Sequence, residues 1–177
     1  GIVKALQKAG HTSYLVGGCV RDLLLGMHPK DYDIATAAHP PQVKRLIHMA
    51  FIIGKRFRLV LVKRGDQQFE VATFRKELDL KEFPIEQFPD GPPPGDNIFG
   101  TPEEDAKRRD FTINAMFYDP ISGDLIDYVG GKDDMATHTL RMIGDPEKRL
   151  IEDPIRILRA IRLTHKIGFM IEPSLRQ

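Results

Sequence analysis

The chain has 177 residues, 41% of them hydrophobic and 29% charged, with a formal net charge of +1. That balance suits a soluble globular chain with one or two small cores and excludes a disordered polyelectrolyte. No apolar run reaches the roughly 18 residues of a membrane-spanning helix and no signal-peptide pattern opens the chain, so a cytoplasmic protein without a membrane partner is expected.

Residues 2–9 have the spacing of a short helix ended by Gly10. Ser13 to Val16 is a short apolar run stopped by Gly17-Gly18, which suits a buried strand entering a tight turn. Cys19 follows, the single cysteine; it can make no internal disulfide and reads as a buried small hydrophobe. Val20 to Leu25 forms a helix closed by Gly26, and Tyr32 to Ala35 a second strand. Pro41 opens a helix running to about Met49. Phe57 to Val62 and Phe69 to Phe74 are strand-like, and Arg64-Gly65-Asp66 between them marks a hairpin.

The stretch from Glu77 to Gly95 holds five of the 13 prolines and predicts a mobile loop, extending to about residue 98, rather than a domain boundary. Pro102 to Arg109 is helical, with acids first and bases last, matching the helix dipole. Asn114 to Tyr118, Leu125 to Tyr128 and Leu140 to Ile143 read as strands. From Asp153 onward the chain is helical, with Ile157, Leu158 and Ile161 on one side. The whole predicts an α+β head over residues 1–140, with a mixed, largely antiparallel sheet flanked by helices, followed by the start of a helical neck over 141–177. Two basic clusters, Lys55 to Arg64 and Arg141 to Lys166, read either as solvated faces or as contacts to a phosphate-rich ligand.

The chemistry concentrates at Leu15-Val16-Gly17-Gly18 followed, twelve residues on, by Asp31-Tyr32-Asp33. Gly17-Gly18 leaves the strand without side chains ahead of a helix, so backbone N–H groups can approach a phosphate. Arg21 lies in the first turn of that helix, where its guanidinium could fork onto a triphosphate. On an extended strand Asp31 and Asp33 face the same side, and two such carboxylates repel unless a cation lies between them; Mg²⁺ is the natural neutraliser. An isolated Asp-x-Asp is more often a surface turn. The Gly-Gly helix start before it and the apolar Ile34-Ala35 after it favour a core strand.

These residues resemble a known family. Tyr14 to Ala38, YLVGGCVRDLLLGMHPKDYDIATAA, is similar to the first motif of polymerase-β-like nucleotidyltransferases, and more narrowly to the bacterial group of poly(A) polymerases and tRNA CCA-adding enzymes. FEVATFR, EEDAKRRDFTINAMFYD, DYVGGKDD and EDPIRILRAIR follow in that group's order. The resemblance implies that Asp31 and Asp33 hold two Mg²⁺ ions while AMP passes from ATP to an RNA 3′ end, mRNA or tRNA, with release of pyrophosphate. Glu70 is then a third catalytic carboxylate or a solvent-side residue of its strand. Arg108, Arg109 and Asp110 match the motif for the nucleotide ribose, although they read equally as helix-end charges and a cap. Asp153 and Arg156 match the pair that reads the base edge, with Arg159 on the same face; Asp153 also suits an N-cap. The segment Ile52 to Leu59 favours poly(A) polymerase over a CCA-, CC- or A-adding tRNA nucleotidyltransferase, with Leu61 departing from the usual histidine. A non-catalytic RNA- or nucleotide-binding module and a two-metal hydrolase are the competing classes.

Overall fold

The computed structural model describes residues 1–54, 58–77 and 98–175. Its centre is a seven-stranded sheet in the order β3-β4-β5-β2-β1-β6-β7. The strands are β1 (Ser13–Val16), β2 (Tyr32–Thr36), β3 (Ala50–Ile53), β4 (Leu59–Arg64), β5 (Gln67–Thr73), β6 (Phe117–Tyr118) and β7 (Leu125–Ile126). Every neighbouring pair is antiparallel except β2 and β5, which run parallel. This is the expected α+β arrangement of a mixed, largely antiparallel sheet flanked by helices.

Strand alternation divides the sheet into two faces. On the back face Ile34, Val60, Val62 and Val71 are buried under α1 (Ile2–Lys8) and α3 (Pro40–Leu46), which contribute Ile2, Val3, Leu6 and Val43. On the front face Val16, Ala35 and Phe74 pack with Phe117 and with Ala106 of α4 (Pro102–Lys107). α2 (Gly18–Leu24) starts directly from β1 and buries Cys19 and Val20 against Met116.

Local chemistry explains the ends of these elements. Thr101 caps α4 by accepting a hydrogen bond from the Glu104 N–H while Glu104 accepts from the Thr101 N–H. α3 starts at Pro40, one residue before the expected Pro41, and stops at Leu46, earlier than expected. The chain then turns through Met49, at φ 60°, into β3, a strand not expected from the sequence. The hairpin between β4 and β5 lies where expected, with Gly65 at φ 59°. The expected strand over 114–118 is instead a 3₁₀ turn (Thr112–Asn114) and the two residues of β6. α5 (Gly131–Ala136) was not anticipated; a Cβ on Gly131 would sit 2.5 Å from the Thr112 carbonyl oxygen, so this helix start needs glycine.

Beyond these lie β8 (Thr139–Leu140), α6 (Pro146–Glu152), α7 (Ile155–Ile167) and β9 (Met170–Ile171), which pairs in parallel with β8. Phe111, Ile113, Leu140 and Met142 share one apolar cluster with Ala160, Leu163 and Phe169, so residues on both sides of position 140 pack together. α7 turns Ala160 and Leu163 inward and leaves Ile157, Leu158 and Ile161 exposed, so the apolar side expected from the sequence is the outward one. The proposed proline-rich loop falls on residues 78–97, and Lys55 to Phe57 of the first basic cluster likewise lie outside the described residues. No helix among the described residues is long and apolar enough to cross a membrane.

Candidate active site

The front face at the C-terminal end of β1 carries the chemistry. Val16 pairs with Asp33, and Asp33 pairs with Glu70 on β5, so the strand register sets the two carboxylates side by side. Tyr32 and Phe69, the preceding pair, stack on the opposite face with ring centroids 5.7 Å apart, which fixes the parity. Asp31 lies in an exposed bend immediately before β2. Burial raises the Asp33 carboxyl above its ordinary value; Glu70 raises it further, the Arg109 guanidinium opposes the shift, and Asp31 adds to it.

Gly17 caps α2 at φ 80°, a conformation that favours glycine, and a Cβ there would lie 3.6 Å from Asp33 Oδ2 and 3.9 Å from Arg109 Nη1. The Gly17 turn, Asp33 and Arg109 thus enclose one small space. Arg109 is aimed there by Asp105, which is 1% exposed. Its Oδ2 accepts from Arg109 Nε at 3.1 Å and Nη2 at 2.9 Å, leaving Nη1 for the Gly17 side. Asp105 Oδ1 accepts from Arg108 Nη2 at 3.0 Å and from the Arg75 N–H, also at 3.0 Å. Sequence reasoning took Asp105 for a helix-dipole acid; the signal it missed is the spacing of three and four to the two arginines.

Arg21 takes a different position from the triphosphate fork expected of it. Its side chain is buried, with Nε donating to Asp22 Oδ1 at 2.9 Å and Nη1 to Asn114 Oδ1 at 2.7 Å. A Cβ on Gly18 would lie 3.2 Å from Arg21 Nη2, so the guanidinium braces the Gly-Gly turn from beneath. Cys19 is buried as expected, its thiol donating to the Val16 carbonyl at 3.2 Å, and burial pushes that thiol's pKa up.

The second half of the site joins α4 to α7. Arg159 Nη1 donates to Asp110 Oδ2 at 3.2 Å and its Nη2 lies 3.9 Å from Asp153 Oδ2. Arg156 Nη1 donates to the Arg149 carbonyl at 2.7 Å, and its Nε lies 3.9 Å from Asp153 Oδ2. Asp110, Asp153, Arg156 and Arg159, far apart in sequence, therefore form one network. Asp153 also accepts from the Ile155 N–H at 3.2 Å, the capping contact expected of it. Arg149, which sequence reasoning placed only in a basic cluster, is buried and donates from Nη2 to the Lys107 carbonyl at 2.8 Å, closing the end of α4.

Two carboxylates beside a glycine turn and an arginine, on a mixed sheet, define a nucleotidyltransferase-type head. The match to known proteins agrees: residues 13–141 match the poly A polymerase head domain. The chain is 46% identical over 98% of its length to poly(A) polymerase I of Salmonella typhi, and 40% identical over 99% to a CCA-adding enzyme of Lactobacillus helveticus. The crystal structure of the Bacillus stearothermophilus CCA-adding enzyme in complex with CTP superposes with a TM-score of 0.83, at 36% identity and over 99% of this chain. The chain belongs to the poly(A) polymerase head-domain family and has its polymerase-β-like fold. It spans 38–42% of the length of these relatives.

Proposed function

We propose that this chain is the catalytic head of an enzyme that adds AMP from ATP to RNA 3′ ends without a template. The observation that carries this reading is the Asp33 carboxylate, paired with Glu70 and followed by Arg109 and the Gly17 turn within one space. Burial first and the Glu70 charge second raise the Asp33 carboxyl, and a bound cation would offset both. Among the described residues no three acidic, histidine or cysteine side chains gather as a metal-holding group. Asp33 on β2 and Asp31 immediately before it would offer carboxylate oxygens to Mg²⁺, a hard cation that takes the rest of its oxygen shell from phosphates and water. Bound there, Mg²⁺ supplies Lewis-acid activation of the 3′-hydroxyl and charge neutralisation of the departing pyrophosphate.

The residues of the chain then divide the work. At the start of α2 the Val20 N–H already donates to the Gly17 carbonyl, and the Gly18 and Cys19 N–H groups of the turn would face phosphate oxygens. Arg109 Nη1 adds positive charge where the triphosphate bends. Asp110 accepts hydrogen bonds from ribose hydroxyls. Asp153, held 3.9 Å from Arg156 Nε, offers a carboxylate acceptor to the base edge. The RNA 3′-oxygen forms its bond to the α-phosphorus as the bond to the β-phosphate oxygen breaks.

Addition to tRNA is the second reading, favoured by the CCA-adding relatives at about the same coverage. Incubating the intact protein with each labelled nucleotide and two RNAs, one a tRNA lacking its terminus, decides. Long A-tails on generic RNA support poly(A) addition; a stop after one to three additions on the tRNA supports the alternative; no incorporation on either refutes both.

A further inference from the structure

The row of registered residues that contains the carboxylates continues to the edge of the sheet. Asp33 pairs with Glu70, Glu70 with Leu61, and Leu61 with Phe51 of β3. Registered partners share a face, so Leu61 and Phe51 extend the front face about 14 Å from Asp33, three strand spacings of roughly 4.8 Å. Their strand neighbours Val60, Val62 and Ile52 belong to the back-face cluster, which is consistent with that parity. Phe51 is 48% exposed, and so is Met49. An edge strand that presents a phenylalanine beside an active site is an aggregation hazard unless a partner uses it.

The surroundings are cationic. Lys63 follows Leu61 by two residues on β4, on the same face, and is exposed. A groove of about 480 Å³ at this edge is lined by Lys44, Arg45, His48, Met49 and Phe51. Between Asp33 and Asp66 the described residues include five lysines and arginines (Lys44, Arg45, Arg58, Lys63 and Arg64) and no acidic residue. Aromatic surface with flanking cations is the chemistry that holds single-stranded nucleic acid: bases stack on the ring whatever their identity, and phosphates meet the cations.

We propose that this outer half of the front face, centred on Phe51, seats the 3′-terminal nucleotides of the RNA. A base stacks on the Phe51 ring, with phosphates on Lys63; Lys44 and Arg45 belong to α3, on the back-face side, and line the adjoining groove at the sheet edge. The inference rests on the nucleotidyltransferase reading above and specifies where its acceptor lies. The distance from Asp33 to Phe51 corresponds to a few nucleotides of strand.

Steady-state extension by the intact protein at saturating ATP tests it. Phe51→Ala raises the KM for RNA about tenfold and leaves the KM for ATP unchanged, while Phe51→Tyr restores the RNA KM. A 2-aminopurine near the RNA 3′ end is quenched on binding the unsubstituted and Tyr proteins, and less so on binding the Ala protein. Unchanged KM and quenching in Phe51→Ala overturn the proposal. An RNA-free oligomer that dissociates in Phe51→Ala while the RNA KM stays constant also overturns it, because the surface then joins copies of the chain. Absence of ATP incorporation, or incorporation that survives Asp33→Ala, defeats the nucleotidyltransferase reading instead; the quenching assay needs no turnover and still decides the fate of Phe51.

Discussion

On the back face of the sheet, Ile34, Val60, Val62 and Val71 are almost wholly buried beneath two helices. At the adjacent position of each strand, the front face carries Asp33, Glu70 and Leu61, and no comparable cluster seals that outer half among the described residues. Alternation lets each strand serve both purposes: one set of side chains supplies burial, and the other holds charges at a separation that burial alone would oppose. The burial and the neighbouring Glu70 charge that raise the Asp33 carboxyl are a stability cost located at the candidate site.

The largest expected effect comes from the front face. Asp33→Ala lowers nucleotide incorporation on the order of 10³-fold, from the loss of several kcal/mol of metal-assisted charge stabilisation. Its circular dichroism is unchanged and its urea midpoint is no lower than that of the unsubstituted protein. A substitution that unfolds the chain would break the separation between the faces. On the back face, Ile34→Ala costs about 2–5 kcal/mol in urea unfolding and leaves activity per folded molecule unchanged. A fall in specific activity at full folding would show that the faces are coupled.

The smallest effect concerns pH. The folded Asp33 carboxyl releases its proton at higher pH than the unfolded one, so without metal the folded state loses relative stability as pH rises through the carboxylate range. Asp33→Asn therefore melts higher than the unsubstituted metal-free protein at about pH 7, and the gain vanishes near pH 3, below the ordinary carboxylate value. An equal gain at both values would mean that the titration of Asp33 does not cause it.

Much of the first half was legible in the sequence. Ser13 to Val16, the Gly-Gly turn, Tyr32 to Thr36 and the Gly65 hairpin lie close to where strand periodicity and glycine placed them. β3 was hidden because no proline or glycine marks the end of α3: the helix stops where Ile47 turns extended, and the chain then bends at the left-handed Met49. α5 was hidden by a start at Gly130-Gly131 that reads as a turn. α6 did announce itself, through Asp145 as cap and Pro146 in the first turn, but the signal was spent on the Asp153 helix that follows. In the candidate site, Asp31, Asp33 and the glycines could be read from spacing. The inward turn of Arg21, the clasp of Asp105 on two arginines and the burial of Arg149 depend on contacts across 4 to 93 positions, which periodicity does not record.

Asp105 has one further contact, with the N–H of Arg75 at the end of β5. Next to it, the Lys76 N–H donates to the Ile98 carbonyl and the Gly100 N–H donates to the Phe74 carbonyl. A Cβ on Gly100 would come within 2.9 Å of Lys76, so the two passing backbones lie too close for any other residue without a shift. The segment between residues 77 and 98 thus leaves and re-enters through a fastened doorway. Closing a longer chain between two ends held in this way costs only about 0.6 kcal/mol per doubling of its length. Insertions or deletions in that segment could therefore accumulate, and a descendant protein could acquire a new appendage there, without moving an atom of the carboxylates behind it.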